Sequence, residues 1–368
     1  MDIASKLSLW VVWGGFALAL VFGFVAARGN FCTMGALSDI VNMAHWARMR
    51  TWLLAMAVAI LGTAALAYGG AIDLSRTIYH RPVLPWLSLV VGGALFGVGM
   101  TMAGGCANRN LIRVGAGSVR ALVVLVFLGI SAYMTLKGLF GQWRATLLDP
   151  VAIDLSGWGV KTQGLGELLA AASGLPARTA ALTAAVALGL ALLAFVFKDA
   201  RYRGNGTQIV TGVVLGLLVT AGWYLTGHIG FAENPETLEM SYFATNTRTL
   251  ESFSFVAPVA YALELLMLWT DKSLKLTFGI ASALGIVLGS LAWALYNKSF
   301  RWEGFANFQD LRNQLVGAML MGFGGVTAMG CTVGQGLSGI STLALGSLIA
   351  LLSICAGCVG MLRWMARG

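Results

Sequence analysis

Gly92-Gly93-Ala94-Leu95-Phe96-Gly97-Val98-Gly99-Met100-Thr101-Met102-Ala103-Gly104-Gly105-Cys106 and Gly317-Ala318-Met319-Leu320-Met321-Gly322-Phe323-Gly324-Gly325-Val326-Thr327-Ala328-Met329-Gly330-Cys331 share one pattern, G-x4-G-x-G-x3-A-x-G-C, with their cysteines 225 positions apart. Small residues on one helical face let two helices approach closely inside a bilayer. A glycine beside a polar atom at the end of an apolar run predicts that the helix breaks there, within the membrane, where transporters build binding sites. Cys106 and Cys331 are therefore expected at two such breaks, facing each other near the midplane.

The composition agrees. The 368 residues are 58% hydrophobic and 11% charged, against about 25% charged in a soluble protein. The chain reads as an all-α polytopic membrane protein. Its 48 glycines against 6 prolines make glycine the main helix breaker and close-packing residue. The net charge of +9 includes the positive-inside bias of membrane proteins and is compatible with an anionic substrate. Five cysteines and three histidines show no paired metal-ligand spacing, so neither metal nor cofactor is expected. Cys355-Ala-Gly-Cys358 has redox-motif spacing but lies in an uninterrupted apolar helix, where cysteine packs as a small hydrophobe.

Taken in order, residues 7–27 are charge-free and long enough to span, and they are expected to stay in the mature protein. Arg28-Gly29-Asn30-Phe31-Cys32-Thr33-Met34-Gly35 then breaks the helix, with Cys32 where a new one can begin. Residues 36–49 suit a short re-entrant helix. Spans follow at 51–72, 82–108 and 119–140, a mixed connector at 141–178, and a linking span at 179–197. Further spans are expected at 207–229 and 275–297, and residues 313–362 hold two crossings with Cys331-Thr332-Val333-Gly334-Gln335-Gly336 at the turn between them. Gly216, Gly222, Tyr224 and Thr226 align with Gly23, Gly29, Phe31 and Thr33, which puts Leu225 opposite Cys32, and residues 255–270 match the short helix 36–49. Between them lies an acidic loop with Glu233, Glu236, Glu239 and Glu251.

About nine transmembrane helices plus short half-helices result. They divide into a first repeat (1–140), a connector with its linking span (141–206) and a second repeat (207–368). The odd linking span inverts the second repeat relative to the first. One side then collects 14 of the 24 basic residues, Arg28, Arg48, Arg109, Arg113 and Lys198 among them. That side is expected to be cytoplasmic, with the C-terminus on it and the N-terminus outside.

Short helices starting at midplane point free N–H groups at the cavity, which favours anions. A neutral thiol is a weak donor and a soft contact, suited to an oxyanion that also carries a soft sulfur, and weak serial contacts let a permeant ion leave. Cys32, Cys106 and Cys331 are the candidate path. Asn30, Asn108, Asn110 and Gln335 are candidate amide contacts, with capping of the short helices the alternative for the last three, and Arg109 would either draw anions at the cytoplasmic mouth or sit as a solvated loop arginine. The competing expectation is that each cysteine fits a tight helix crossing. Glu264 reads either as a functional intramembrane carboxylate or as an interfacial one facing Lys272 or Lys275.

The motifs Gly29-Asn30-Phe31-Cys32-Thr33-Met34-Gly35, Gly104-Gly105-Cys106-Ala107-Asn108 and Gly330-Cys331-Thr332-Val333-Gly334-Gln335-Gly336 resemble the YeeE/YedE family of sulfur-transport membrane proteins over nearly the whole chain. The resemblance implies an inner-membrane protein that takes up thiosulfate, with those three cysteines lining the route and a small TusA-like sulfur-carrier protein as cytoplasmic partner. It implies a transporter, not an enzyme. The alternatives are a membrane-bound sulfurtransferase or thiol redox protein, which would need an activated thiolate, and a selenium-species transporter. Nothing in the sequence points to nucleic acid.

Overall fold

The computed structural model describes residues 3–174, 176–233 and 238–367. Glu236 of the expected acidic loop lies outside them. The chain is built from α1 (Ile3–Arg28), α2 (Thr33–Met43), α3 (Ala47–Tyr68), α4 (Trp86–Met102), α5 (Ala107–Gly115), α6 (Val119–Lys137), α7 (Leu139–Trp143), α8 (Leu165–Ser173), α9 (Ala177–Phe197), α10 (Ala200–Arg203), α11 (Gly206–Tyr224), α12 (Val256–Met267), α13 (Phe278–Tyr296), α14 (Phe308–Thr327) and α15 (Leu345–Met365). Two short antiparallel pairings, Val83–Leu84 with Ile153–Asp154 and Phe231–Glu233 with Met240–Tyr242, are the strand structure among the described residues. Eight helical stretches there are long and apolar enough to cross a membrane, two of them compound: Ser5–Met43 joins α1 to α2, and Trp86–Gly115 joins α4 to α5. α14 is a further helix of 20 residues. Its polar first turns, with Gln309, Asp310 and Arg312, lower its mean hydropathy, yet it packs against α4 and α6 in the centre of the bundle.

Glycine sets how the helices meet. α1 packs on α13, α3 on α11, α4 on both α14 and α15, and α6 on α14. At the α4–α14 crossing the two copies of the repeated motif touch each other. A Cβ built on Gly99 would lie 2.6 Å from the Gly317 carbonyl oxygen, and one on Gly317 would lie 2.7 Å from that of Gly99. Gly92 and Gly324 are apposed in the same mutual way. The next glycine of each copy faces outward. A Cβ on Gly97 would meet the Cys358 amide of α15 at 2.7 Å, and one on Gly322 the Ala132 amide of α6 at 2.8 Å. In hydrocarbon no apolar driving force pulls helices together, so dispersion between backbones this close holds the crossing.

Helix polarity defines two rims. One carries the end of α2, the starts of α3, α6 and α14, and the end of α9, with the ion pairs Arg48–Asp39 (3.2 Å), Arg50–Asp199 (3.5 Å) and Arg120–Asp310 (3.4 Å). The other carries the ends of α6 and α12 and the start of α4, with Lys137–Glu264 (2.6 Å) and Arg144–Asp149 (3.2 Å). Glu264 thus faces neither Lys272 nor Lys275. Its carboxylate takes Lys137 and the Tyr133 hydroxyl (3.0 Å) from α6, because α12 lies along α6 and the lysine-bearing loop turns away from it. Residues 141–174 pack over this second rim. Asp149 accepts from Ser88 at the start of α4 (2.7 Å), and the Gln163 side chain accepts from the Gly346 amide at the start of α15 (3.0 Å). Trp52 and Trp223 are buried in the bundle, apart from the belt of exposed tryptophans such as Trp10, Trp13 and Trp364.

Candidate functional site

Three helices end in the same way, and each end presents a cysteine. After α1 the Phe31 amide donates to the Ala26 carbonyl (2.9 Å) and the Asn30 amide to Ala27 (3.3 Å). After α4 the Gly105 amide donates to Met100 (2.8 Å) and Gly104 to Thr101 (3.2 Å). After α14 the Gly330 amide donates to Gly325 (2.8 Å) and Met329 to Val326 (3.0 Å). This paired pattern is the Schellman motif, and it needs one left-handed residue. That residue is Asn30 (φ 48°), Gly104 (φ 69°) and Met329 (φ 56°), in each case two positions before the cysteine. Cys32 and Cys106 then cap α2 and α5 in extended conformation, and Cys331 opens the short helical run that passes into a π-helical segment at Gly334–Gly339.

The thiols look toward the unpaired amides of the helices they begin. Cys32 Sγ accepts from the Gly35 amide (3.3 Å) and Cys331 Sγ from the Gly334 amide (3.4 Å). Cys106 faces the Arg109 amide and the Thr332 hydroxyl without a hydrogen bond of ordinary length, and it lies within electrostatic reach of both other thiols. All three cysteines are buried. Trp52 joins two of the breaks: its ring stacks on Phe31 (6.4 Å, 10° between planes), and a Cβ on Gly336 would touch it.

The remaining candidates divide. Asn108 is buried with its side-chain oxygen unpartnered, as are the Thr332 hydroxyl and the Gln335 side-chain oxygen. The Gln335 amide nitrogen donates to the Ala328 carbonyl, and Asn110, four residues after Cys106 as Gln335 is four after Cys331, donates to the Gly105 carbonyl at 3.0 Å. Asn110 thus stands to Cys106 as Gln335 stands to Cys331, each tying its break through a side-chain amide. Asn30 has an exposed side chain, so its contribution is the left-handed backbone. Arg109 is half-buried on the first rim side of the break, with no ion-pair partner among the described residues, and Arg113 beside it donates to the Gly104 carbonyl (3.1 Å).

Beside Cys331 lies a cavity of about 440 Å³ that takes in Arg144 and Asp149 of the second rim, its walls also including Arg81, Glu251, Ser254, Tyr261 and Met329-Gly330. Sequence reasoning missed it because its walls come from loops far apart in the chain. It also missed Tyr79, whose hydroxyl donates to the Gly334 carbonyl (2.9 Å), and His80, whose Nε2 meets the Thr342 carbonyl (3.0 Å). These consecutive residues clamp the two ends of the segment that follows Cys331. Burial holds the His80 imidazole below its ordinary pKa, so its neutral form donates to Thr342.

The sulphur-transport family pattern matches residues 28–360, a stretch that takes in all three breaks. A protein of Spirochaeta thermophila named thiosulfate transporter TsuA is 26% identical over 343 residues, covering 92% of this chain and 94% of its own length. A protein of the same name from Escherichia coli is 26% identical over 347 residues, covering 89% of this chain and 87% of its own. With the family pattern running from the first cysteine break to the last helix, the chain belongs to the sulphur-transport family of membrane proteins.

Proposed function

We propose that this protein carries thiosulfate, or a closely related sulfur-containing anion, across the inner membrane into the cytoplasm, along a path lined by Cys32, Cys106 and Cys331. The observation that carries the reading is the threefold recurrence of one device: a Schellman end, a cysteine, and a new helix whose first-turn amides have no backbone acceptor and turn toward the thiol. Helix N-termini favour the anion's charge, and buried S–H groups offer soft, weak donors to its sulfur and oxygens. The cavity behind Gly330 is the entry vestibule, and Asn108, Thr332 and Gln335 supply the unpartnered polar atoms beside the route. The anion leaves past Arg109 and Asn30 on the first rim, which the excess of arginines makes the cytoplasmic side. The C-terminus lies there and the N-terminus outside, and a TusA-like sulfur carrier would collect the product at that face.

The two halves act as inverted repeats around α4 and α14. The mutual contacts of Gly92 with Gly324 and of Gly99 with Gly317, and the equivalent docking of α15 on α4 and α6 on α14, support a two-fold relation. α2 and α12 are its half-length helices. A sulfurtransferase reading has less support, since no histidine, carboxylate or lysine side chain hydrogen-bonds any of the three thiols among the described residues. The test is uptake of radiolabelled thiosulfate into proteoliposomes holding the purified protein. Time-dependent accumulation that unlabelled thiosulfate displaces is expected. Vesicles no more permeable than protein-free ones would end the proposal.

A further inference from the structure

The entry cavity carries an acid that the cysteine path does not use. Its charged lining residues are Arg81, Arg144, Asp149 and Glu251. Asp149 is neutralised by Arg144 (3.2 Å). Glu251 has no ion-pair partner among the described residues. Its carboxyl accepts from the Thr247 amide (2.8 Å) and the Thr247 hydroxyl, and the Asn246 amide also faces it. The other groups around it are the hydroxyls of Tyr79, from the loop between α3 and α4, and Tyr261, from α12, neither of them cationic. The residue is half-buried and its side chain lines the cavity. With Glu251 ionised the cavity's two arginines face two carboxylates and its lining has no net charge. With Glu251 protonated it has one net positive charge.

We propose that Glu251 is a proton-binding site linked to the anion site of this cavity: as a carboxylic acid it admits the doubly charged anion, and as a carboxylate it repels it. The proposal rests on reading the cavity as the thiosulfate vestibule. A dianion moving inward works against a membrane potential that is negative inside, and no phosphate-cradling glycine loop is present in the chain to supply a nucleotide motor. A proton taken up with the anion reduces the charge brought to the path. No bond other than the O–H bond of the acid is made or broken. Burial favours the same state, because it raises the Glu251 pKa above the usual carboxylate range against the opposing pull of the Thr247 and Asn246 donors. Linkage then requires reciprocity: if the proton strengthens anion binding, the anion must draw in a proton.

The alternative role for Glu251 is to hold the 246–251 turn through Thr247, and Glu251→Gln separates the two, because glutamine keeps an acceptor oxygen for Thr247 but does not titrate. Thiosulfate binding to the full-length protein in nanodiscs, measured between about pH 5 and pH 8, is expected to weaken about tenfold per pH unit above the pKa of the acid. In lightly buffered solution above that pKa, binding should take up close to one proton. The Glu251→Gln protein should bind at all these pH values with a flat profile and no proton uptake. A Gln variant with the wild-type pH profile, or wild-type binding without proton uptake, would overturn the proposal. Absence of thiosulfate binding by the wild type at every pH would instead overturn the vestibule reading beneath it. If the variant fails to fold, the proton count on wild-type protein decides alone.

Discussion

The break after α1 and its counterpart after α11 begin alike and end differently. Both helices dock by a glycine against a backbone carbonyl of the neighbouring helix, Gly23 on Ile286 and Gly216 on Ala55. α1 then stops in a Schellman turn and Cys32 starts α2 directly. α11 runs on through a π-helical turn at Leu225–Ile229, with Leu225 where the thiol would be, and the chain leaves the bundle before re-entering to begin α12 at Val256. The interior position is filled by aromatic rings. Phe22 lies 5.4 Å from Phe253 and 6.0 Å from Phe255, and all three are fully buried. The re-entering segment also supplies Glu251, Ser252 and Ser254 to the cavity wall. Three helix breaks carry a buried cysteine, whereas the segment that follows α11 lines the cavity proposed as the vestibule.

The largest effect expected from this difference is at the thiols themselves. Cys331→Ala and Cys106→Ala should each abolish thiosulfate uptake in proteoliposomes while leaving the unfolding temperature within a few degrees, since a free thiol contributes little more than its packing. Serine should rescue poorly, its hydroxyl being smaller and harder than a thiol. Full uptake by both alanine variants would reduce the three breaks to packing devices. On the aromatic side the order reverses. Phe253→Ala removes a fully buried ring and should cost about 3–5 kcal/mol of stability, read as a fall in the midpoint of thermal unfolding, before any effect on transport per folded molecule.

How much of this was legible follows from distance along the chain. The helix breaks at Gly29-Asn30, Gly104-Gly105 and Met329-Gly330 are local, written in glycine and in the left-handed turn each motif requires, so the sequence exposes them. The repeat made the α4–α14 crossing readable as well, because both partners carry the same glycines. The fourth quarter was not readable. A constant alignment offset puts Leu225 opposite Cys32, but nothing local says that the chain leaves the bundle there and returns at Phe253. The vestibule was hidden for the same reason, since Arg81, Arg144 and Glu251 meet only through tertiary contacts. Glu264 shows the limit on a smaller scale: nearby Lys272 and Lys275 were the obvious partners, and the true one is Lys137, 127 positions away.

A smaller effect should come from the clamp on the segment after Cys331. Tyr79→Phe removes one buried hydroxyl bond to the Gly334 carbonyl and should cost about 1–3 kcal/mol. The same change frees the start of that segment. Uptake should therefore lose more in maximal rate than in half-saturating thiosulfate, because Tyr79 gives the cavity wall one hydroxyl and its charged residues Arg81, Arg144, Asp149 and Glu251 stay in place. Equal loss in both quantities would place Tyr79 in anion binding instead.

The smallest expected effect is also the sharpest test of the comparison. Leu225→Cys restores a thiol at the position aligned with Cys32. If thiols alone made the path, a fourth one would speed transport or alter its selectivity. The geometry says otherwise. Leu225 continues a helix whose next amides are already paired, Gly230 donating back to the Leu225 carbonyl (2.9 Å), and its side chain packs against Gly14 of α1. A cysteine there has no free helix N-terminus beside it. Losing part of a leucine from a buried contact should cost about 1–3 kcal/mol, with the uptake rate per folded molecule unchanged. A measured gain in rate would mean that the thiol, not the helix start that presents it, is the element the path requires.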